Sequence, residues 1–538
     1  MTEKGENGQA ILSVRNLSVG LPKGLDRRYA VHDISFELKA GEILCIIGES
    51  GSGKSVTANT IMGLLPSTMT IESGSIDFRG ADLLKIPESR RRLLRGKSVS
   101  IIFQDPLSSL NPLMTIRDQI DEVLVAHDFG DRQRRAAKIV EILTEVGLPE
   151  PEVIQHQYPF RLSGGQRQRV MIAMALALDP DVLIADEPTT ALDVTTQAQI
   201  LDLIRKIQQR KGMSVMFITH DFGVVSEIAD SVIVMEKGDL VEQGSARDVL
   251  FNPQHPYTKR LIAAVPHMRQ DDKAATPETD VVLKATDLRK TYHVGSGMFS
   301  RKRVVPALQD VSFTLRRGRT LGVVGESGSG KSSLGRVLMK LTDLDSGSIL
   351  FEERDIAGLS EKEFRPLRPR IQMVFQDPFA SLNPRHTIGM SLTVGPIAHG
   401  RDARETRARA YETLELVGLD PSAMERFPHE FSGGQRQRVG IARALMLDPE
   451  ILIADEAVSA LDVSIQAQIL ELLQRVQRER NLAIIFITHD LRVASQICDD
   501  ILVMHRGVVV ESGAPSVIFG DPRQDYTRKL VAAIPGMR

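Results

Sequence analysis

Short apolar runs bounded by glycine or acidic residues recur along the chain. Ile43–Ile47 and Leu321–Val324 run into glycine-rich stretches. Val182–Ala185 and Ile451–Ala454 end in Asp-Glu, and Val215–Ile218 and Ile484–Ile487 lead into Thr-His-Asp. Runs of four or five apolar residues closed by turn residues predict buried strands, and the alternation in Ile34-Ser-Phe-Glu-Leu38 predicts a strand with one polar face. Helical periodicity covers Ile116–Val146 and Ile388–Val417, and again Arg167–Leu178 and Arg436–Leu447. The longest unbroken apolar run, Val170–Leu178, has nine residues, about half of what a bilayer span needs.

The pattern occurs twice. Gly48-Glu49-Ser50-Gly51-Ser52-Gly53-Lys54-Ser55 returns as Gly325-Glu326-Ser327-Gly328-Ser329-Gly330-Lys331-Ser332, 277 positions later. Phe103-Gln104-Asp105-Pro106 returns at Phe375-Gln376-Asp377-Pro378 after 272 positions. Ser163-Gly164-Gly165-Gln166 returns at Ser432-Gly433-Gly434-Gln435, Asp186-Glu187 at Asp455-Glu456 and His220 at His489, all after 269. Insertions and deletions therefore fall between the first and third motifs. A period of this length is a duplicated module, not a solenoid unit. We expect one module over 1–268, a short polar linker over 269–280 and a second module over 281–538. Each is read as an α/β core with an inserted helical subdomain.

Composition narrows the class. Of 538 residues, 42% are hydrophobic and 25% charged, as in ordinary soluble proteins. Lys plus Arg (67) nearly equals Asp plus Glu (69), so no global field favours nucleic acid. Trp is absent and aromatics are 4%, which leaves little for base stacking. Two cysteines, Cys45 and Cys498, exclude a disulfide framework, a four-cysteine zinc site and an iron–sulfur cluster. No apolar secretory segment opens the chain, and a reducing compartment is expected.

The glycine-rich loops sit between a strand and a helix-compatible stretch, the setting in which backbone N–H groups and a helix N-terminus cradle phosphates. Lys54 and Lys331 bring a positive charge to the β/γ-phosphates, and Ser55 and Ser332 a hydroxyl for Mg²⁺. Asp186 and Asp455, at strand ends, are candidate Mg²⁺ ligands. Glu187 and Glu456 are candidate bases for an attacking water. His220 and His489 read either as structural strand-end histidines or as switches contacting a γ-phosphate. Ser163–Gln166 and Ser432–Gln435 read either as helix caps or as a second anion site at a helix start.

Together these motifs resemble the ATP-binding cassette (ABC) family: Walker A, Q-loop, signature, Walker B and H-loop, in order, twice, over nearly the whole chain. The resemblance implies two tandem P-loop ABC nucleotide-binding domains with RecA-like cores, ATP and Mg²⁺ as ligands, and Gln104 and Gln376 as further metal contacts. It also implies composite sites. Lys54, Ser55, Gln104, Asp186, Glu187 and His220 would face Ser432–Gln435, while Lys331, Ser332, Gln376, Asp455, Glu456 and His489 would face Ser163–Gln166. Gln104-Asp-Pro-Leu-Ser-Ser-Leu-Asn-Pro112, its copy at Gln376, and the tail Phe251-Asn-Pro-Gln-His255-Pro256-Tyr257 resemble the peptide/nickel importer branch. That branch implies two transmembrane permease subunits, an extracytoplasmic solute-binding protein, no nucleic acid, and a peripheral place on the cytoplasmic face of the inner membrane.

There are departures. Tyr292 stands where the family stacks an aromatic on adenine, but the first half has Leu21. The second signature begins with Phe431, its Asp-Glu pair continues Ala457-Val-Ser, and its tail reads Gln524-Asp525-Tyr526. The rival reading, a soluble twin-cassette translation factor on the ribosome, is disfavoured by the short, non-basic linker. Chromosome-maintenance ATPases are disfavoured by the absence of a long coiled-coil insertion between Lys54 and Asp186. The cargo is left open among dipeptide, glutathione, an opine and a metal chelate.

Overall fold

The computed structural model describes residues 9–24, 27–190, 192–266, 268, 280–294, 303–377, 381–459 and 461–536. The linker expected at 269–280 lies outside them except for Asp280, as do Ala191, Ala460 and the three residues from Pro378. By contacts the chain divides into two units, one formed chiefly by residues up to Val265 and the other chiefly by residues from Pro266.

In the first unit the strands are β1 (Ala10–Gly20), β2 (Tyr29–Lys39), β3 (Ile43–Ile47), β4 (Thr70–Phe78), β5 (Ala81–Asp82), β6 (Val99–Ile102), β7 (Val182–Asp186), β8 (Ser214–Thr219), β9 (Ser231–Glu236) and β10 (Asp239–Ser245). β2-β1-β4-β5 form an antiparallel sheet that the sequence reading did not separate from the core. The other six follow the order β10-β9-β3-β8-β7-β6, parallel except for β10.

The apolar runs are continuous because both faces of this parallel sheet are covered. Ile43, Cys45 and Ile47 of β3, with Val215 and Phe217 of β8, join one core that includes the helices. Leu44 and Ile46, with Met216 and Ile218, join a second core that includes Leu12, Val14, Ile34 and Phe36 of the antiparallel sheet. Successive side chains of a strand point to opposite faces, so one five-residue run serves two cores.

Between β6 and β7, neighbours in the sheet, the chain departs into the helical subdomain. The expected helical run over Ile116–Val146 is two helices, Ile116–Ala126 and Arg132–Glu145. They are separated by Asp128 and Gly130 at positive φ, and Asp131 caps the second by accepting from the Arg134 N–H at 2.8 Å. The run over Ile388–Val417 likewise divides into Ile388–Ala398 and Ala403–Leu416.

The second unit repeats the plan with β11 (Val281–Val294), β12 (Arg303–Arg316), β13 (Thr320–Val324), β14 (Ser346–Phe351), β15 (Arg354–Asp355), β16 (Ile371–Val374), β17 (Ile451–Asp455), β18 (Ala483–Thr488), β19 (Asp500–His505) and β20 (Val508–Gly513). Their orders are β12-β11-β14-β15 and β16-β17-β18-β13-β19-β20. Among the described residues, no helix is long and apolar enough to cross a membrane.

Candidate nucleotide site

Strand order assembles the site. In the run β3-β8-β7-β6, the carboxyl end of each strand delivers one motif: the glycine loop after β3, His220 after β8, Asp186-Glu187 at β7 and Gln104 just beyond β6. Ligands of open α/β sheets bind at this edge. In the second unit β13-β18-β17-β16 deliver the loop, His489, Asp455-Glu456 and Gln376 in the same way.

The loop needs its glycines. Gly48 has φ +154° and a Cβ there would lie 2.2 Å from the Met235 carbonyl oxygen; Gly53, at φ +104°, would meet that of Ala30 at 2.6 Å. Gly325 and Gly330 repeat these approaches to Met504 and Ala307. Gly51 and Gly328 also have positive φ, and Ser50 and Ser327 at the loop tips are exposed. The loop then enters the helix Lys54–Met62, whose counterpart is Lys331–Leu338.

Lys54 is 5% exposed and folds back on its loop, donating from Nζ to the carbonyls of Gly48 (2.7 Å) and Glu49 (2.9 Å). Lys331 does the same to Gly325 (2.7 Å) and Glu326 (2.9 Å). Burial lowers the pKa of Lys331 below the ordinary range despite nearby carboxylates. An ammonium held by neutral loop oxygens is well placed to exchange them for phosphate oxygens.

Ser55 Oγ donates to Asp186 Oδ1 at 3.1 Å, and Ser332 Oγ to Asp455 Oδ1 at 3.2 Å. Burial raises both aspartates, and the adjacent glutamate adds to it. A hydroxyl and one carboxylate are hard oxygen donors of the kind Mg²⁺ takes when substrate phosphates and waters supply the rest. Among the described residues, no group of three or more His, Cys, Asp or Glu able to hold a metal occurs. The donor set fits Mg²⁺.

Glu187 is the hub. Its N–H continues the ladder by donating to the Ile218 carbonyl at 2.9 Å, then its φ of 47° turns the chain away. Glu456 has φ 48°. A non-glycine residue in this region is strained by roughly 1–3 kcal/mol, a cost found mostly where the side chain must be aimed. The Glu187 carboxylate accepts from Gln104 Nε2 (2.9 Å) and Thr190 Oγ1 (3.0 Å) and lies 3.3 Å from His220 Nδ1. Glu456 accepts from Gln376 Nε2 at 2.7 Å and lies 3.4 Å from His489 Nδ1. Burial alone pushes the Glu187 carboxyl up. The hydrogen bond and charge of His220, with Lys54 and Thr190, overcome it and hold the pKa at about 2. Glu456 is lowered by the same balance, and burial's downward push on His489 is exceeded by Glu456.

Ser163–Gln166 and Ser432–Gln435 do not join the cluster of their own unit. Ser163 and Ser432 are helix caps, one of the two readings of the sequence, and the helices begin three residues earlier than expected, spanning Gly164–Leu176 and Gly433–Leu445. A capping box explains the earlier start. Ser163 Oγ accepts from the Gln166 N–H at 3.2 Å while Gln166 Oε1 accepts from the Ser163 N–H at 3.0 Å, and Ser432 with Gln435 repeats it. Gly165 and Gly434 let the helix approach Thr196 and Ile465, whereas a Cβ at Gly164 or Gly433 would meet open space.

Tyr292 lies on β11, in the antiparallel sheet, with Lys290 Nζ 5.8 Å from its ring centroid. Its buried hydroxyl has no hydrogen-bond partner among the described residues. The sequence reading missed Thr190, whose side chain orients Glu187; its place three residues after that glutamate was the available signal.

The ABC transporter family matches residues 31–190 and 308–459, and the family described as oligopeptide/dipeptide transporter, C-terminal region, matches 241–289. The peptidoglycan transport ATP-binding protein YejF of Agrobacterium fabrum is 48% identical over 540 residues, spanning 98% of this chain and 97% of its own. The glutathione import ATP-binding protein GsiA of Escherichia coli O157:H7 is 45% identical over 557 residues, spanning 98% of this chain and 89% of its own. Among solved structures, a dimeric ATP-binding cassette in a post-hydrolysis state with ADP and Pi aligns over 43% of this chain and 98% of its own, at 29% identity and a TM-score of 0.40. With the family matched in both units and relatives spanning nearly the full chain, the protein belongs to the ABC transporter family, as an ATP-binding protein with two cassettes.

Proposed function

We propose that this chain is the ATPase subunit of an importer for peptides or related small solutes, and that it works with two transmembrane permease subunits and, indirectly, an extracytoplasmic solute-binding protein. The observation that carries the reading is the hub at Glu187 and Glu456, each held between a glutamine and a histidine. The transport and import names of the relatives and the match to the oligopeptide/dipeptide transporter region support it. They give no support to the ribosomal alternative.

We assign the roles from the geometry of each hub and, for the signatures and Tyr292, from the resemblance to the family. The glycine loop and Lys54 or Lys331 bind the phosphates, with the lysine leaving its carbonyls to do so. Ser55 with Asp186, and Ser332 with Asp455, are assigned to hold Mg²⁺, with Gln104 and Gln376 as further contacts; when bound, the ion neutralises phosphate oxygens. Glu187 and Glu456 accept a proton from the attacking water. His220 and His489 keep those carboxylates ionised and aimed. Gln104 and Gln376, at the root of the helical subdomain, donate to the carboxylates and help to aim them. Each signature, Ser163–Gln166 or Ser432–Gln435, serves the nucleotide of the opposite cassette, and Tyr292 stacks on adenine in the second.

The test is co-expression with the permease genes. The chain should fractionate with membranes only when they are present, and its ATPase activity should rise with loaded solute-binding protein. Nuclease-sensitive sedimentation with ribosomes would overturn the reading.

A further inference from the structure

Each module ends in a tail that reaches back to its own phosphate loop. Tyr257, at the start of the helix Pro256–Ala264, is 4% exposed, and its Oη accepts the Glu49 N–H at 3.2 Å. That N–H belongs to the planar peptide whose other end, the Gly48 carbonyl, accepts from Lys54 Nζ at 2.7 Å. One peptide of the loop is thus held at both ends, by the tail tyrosine and by the phosphate-binding lysine. In the second unit Tyr526 Oη accepts the Glu326 N–H at 3.2 Å, and the Gly325 carbonyl accepts from Lys331 Nζ at 2.7 Å.

Both tails are anchored by a glutamate of the last strand. Glu242 on β10 accepts the N–H of Gln254 at 2.7 Å and of His255 at 3.2 Å. Glu511 on β20 accepts those of Arg523 at 2.8 Å and Gln524 at 3.2 Å. The surroundings differ. His255 Nδ1 caps the Tyr257 N–H, while Gln524 gives no side-chain cap. Arg260 lies over the Tyr257 ring, whereas the His505 ring packs on Tyr526 at 4.1 Å. Two copies that diverge in His-Pro and in ring environment keep the hydroxyl, the loop amide and the glutamate anchor. That is what a requirement for the hydroxyl contact itself would leave behind.

We propose that Tyr257 and Tyr526 are positioning residues: each C-terminal extension fixes the first peptide of its own phosphate loop, and with it the place of the lysine that meets the nucleotide. The inference rests on the reading of these loops as nucleotide sites. If the peptide turned, the Gly48 carbonyl would leave Lys54 and the Glu49 N–H would lose its acceptor. The loop would then have to be ordered by the nucleotide, at a cost to affinity.

The test uses Tyr257→Phe and Tyr526→Phe in the full chain, which keep the ring and its packing. Hydrogen exchange of the ligand-free protein should quicken in Gly48–Ser55 for the first variant and in Gly325–Ser332 for the second, with β3 and β13 unchanged. Binding of a fluorescent ATP analogue to the affected cassette should weaken about threefold to tenfold, the size of one hydrogen bond, with Tm lowered by no more than about 4 °C. Loop exchange and affinity equal to wild type would overturn the proposal, as would faster exchange spread through the whole unit, the mark of a merely structural tyrosine. Wild-type protein that binds no analogue would instead overturn the nucleotide-site reading.

Discussion

Gln104 Nε2 donates to the Glu187 carboxylate across 2.9 Å, and Gln376 repeats the contact on Glu456 at 2.7 Å. The glutamine stands where β6 or β16 gives way to the helical subdomain, and the glutamate at the end of the neighbouring strand. A displacement of that subdomain is therefore felt directly by the proposed base.

Replacing both glutamates by glutamine keeps shape and hydrogen bonding but deletes the base. Steady-state ATP turnover of Glu187→Gln/Glu456→Gln should fall on the order of 10²–10⁴-fold, while ATP binding persists. Phosphate-release kinetics and a binding titration check it; near-normal turnover would refute the assigned role.

The proposed composite arrangement makes a ranking prediction. Under it, Glu187→Gln with Ser432→Arg would place both lesions in one site and leave Lys331, Glu456 and Ser163 together as an intact one. Glu187→Gln with Ser163→Arg would damage both. Single-turnover cleavage of bound ATP should be retained more by the first pair. The opposite ranking would place each signature in its own cassette's site.

A pH-dependent contribution is expected in the second unit. Glu450 accepts from Arg317 at 2.6 Å and pairs with Arg370, and both arginines also pair with Glu352. Burial pushes the Glu450 carboxyl up, but the two guanidiniums draw it below the ordinary carboxylate range. A carboxyl depressed on folding adds stability that is present above its unfolded value and disappears as pH falls through the folded one. Glu450→Gln should cost about 1 kcal/mol at pH 7, the groups being only partly buried. Thermal unfolding at several pH values should find that difference shrinking below about pH 4. A difference as large at pH 3 as at pH 7 would refute it.

Both cysteines are buried, Cys45 in β3 and Cys498 beside β19, and burial pushes the Cys45 thiol above its usual range. Thiolate is the reactive form. A maleimide should label neither in the native protein and both in guanidinium. Rapid native labelling of Cys45 would mean that the β3 core opens far more readily than its packing implies.

Much of the site was readable along the chain because its chemistry is local. A strand, a glycine loop and a helix N-terminus are contiguous, so Gly48–Ser55 announced itself, as did the Asp-Glu pairs at strand ends; the doubling fixed the module. Apolar runs located β3, β7, β8 and their counterparts, since burial on both faces forbids polar interruption. The sequence reading ran Ile116–Val146 together, whereas Asp128 and Gly130 turn the chain between two helices.

What the tertiary structure alone decided are the contacts between segments far apart in sequence. Tyr257 and Glu49 are 208 positions apart. They meet because β9 lies beside β3 and the tail leaves β10, the strand paired to β9. Gln104 reaches Glu187 because β6 neighbours β7 despite the helical excursion between them. Strand order is set by how whole sheets bury their two faces, a property of the assembled core that no local run of residues carries.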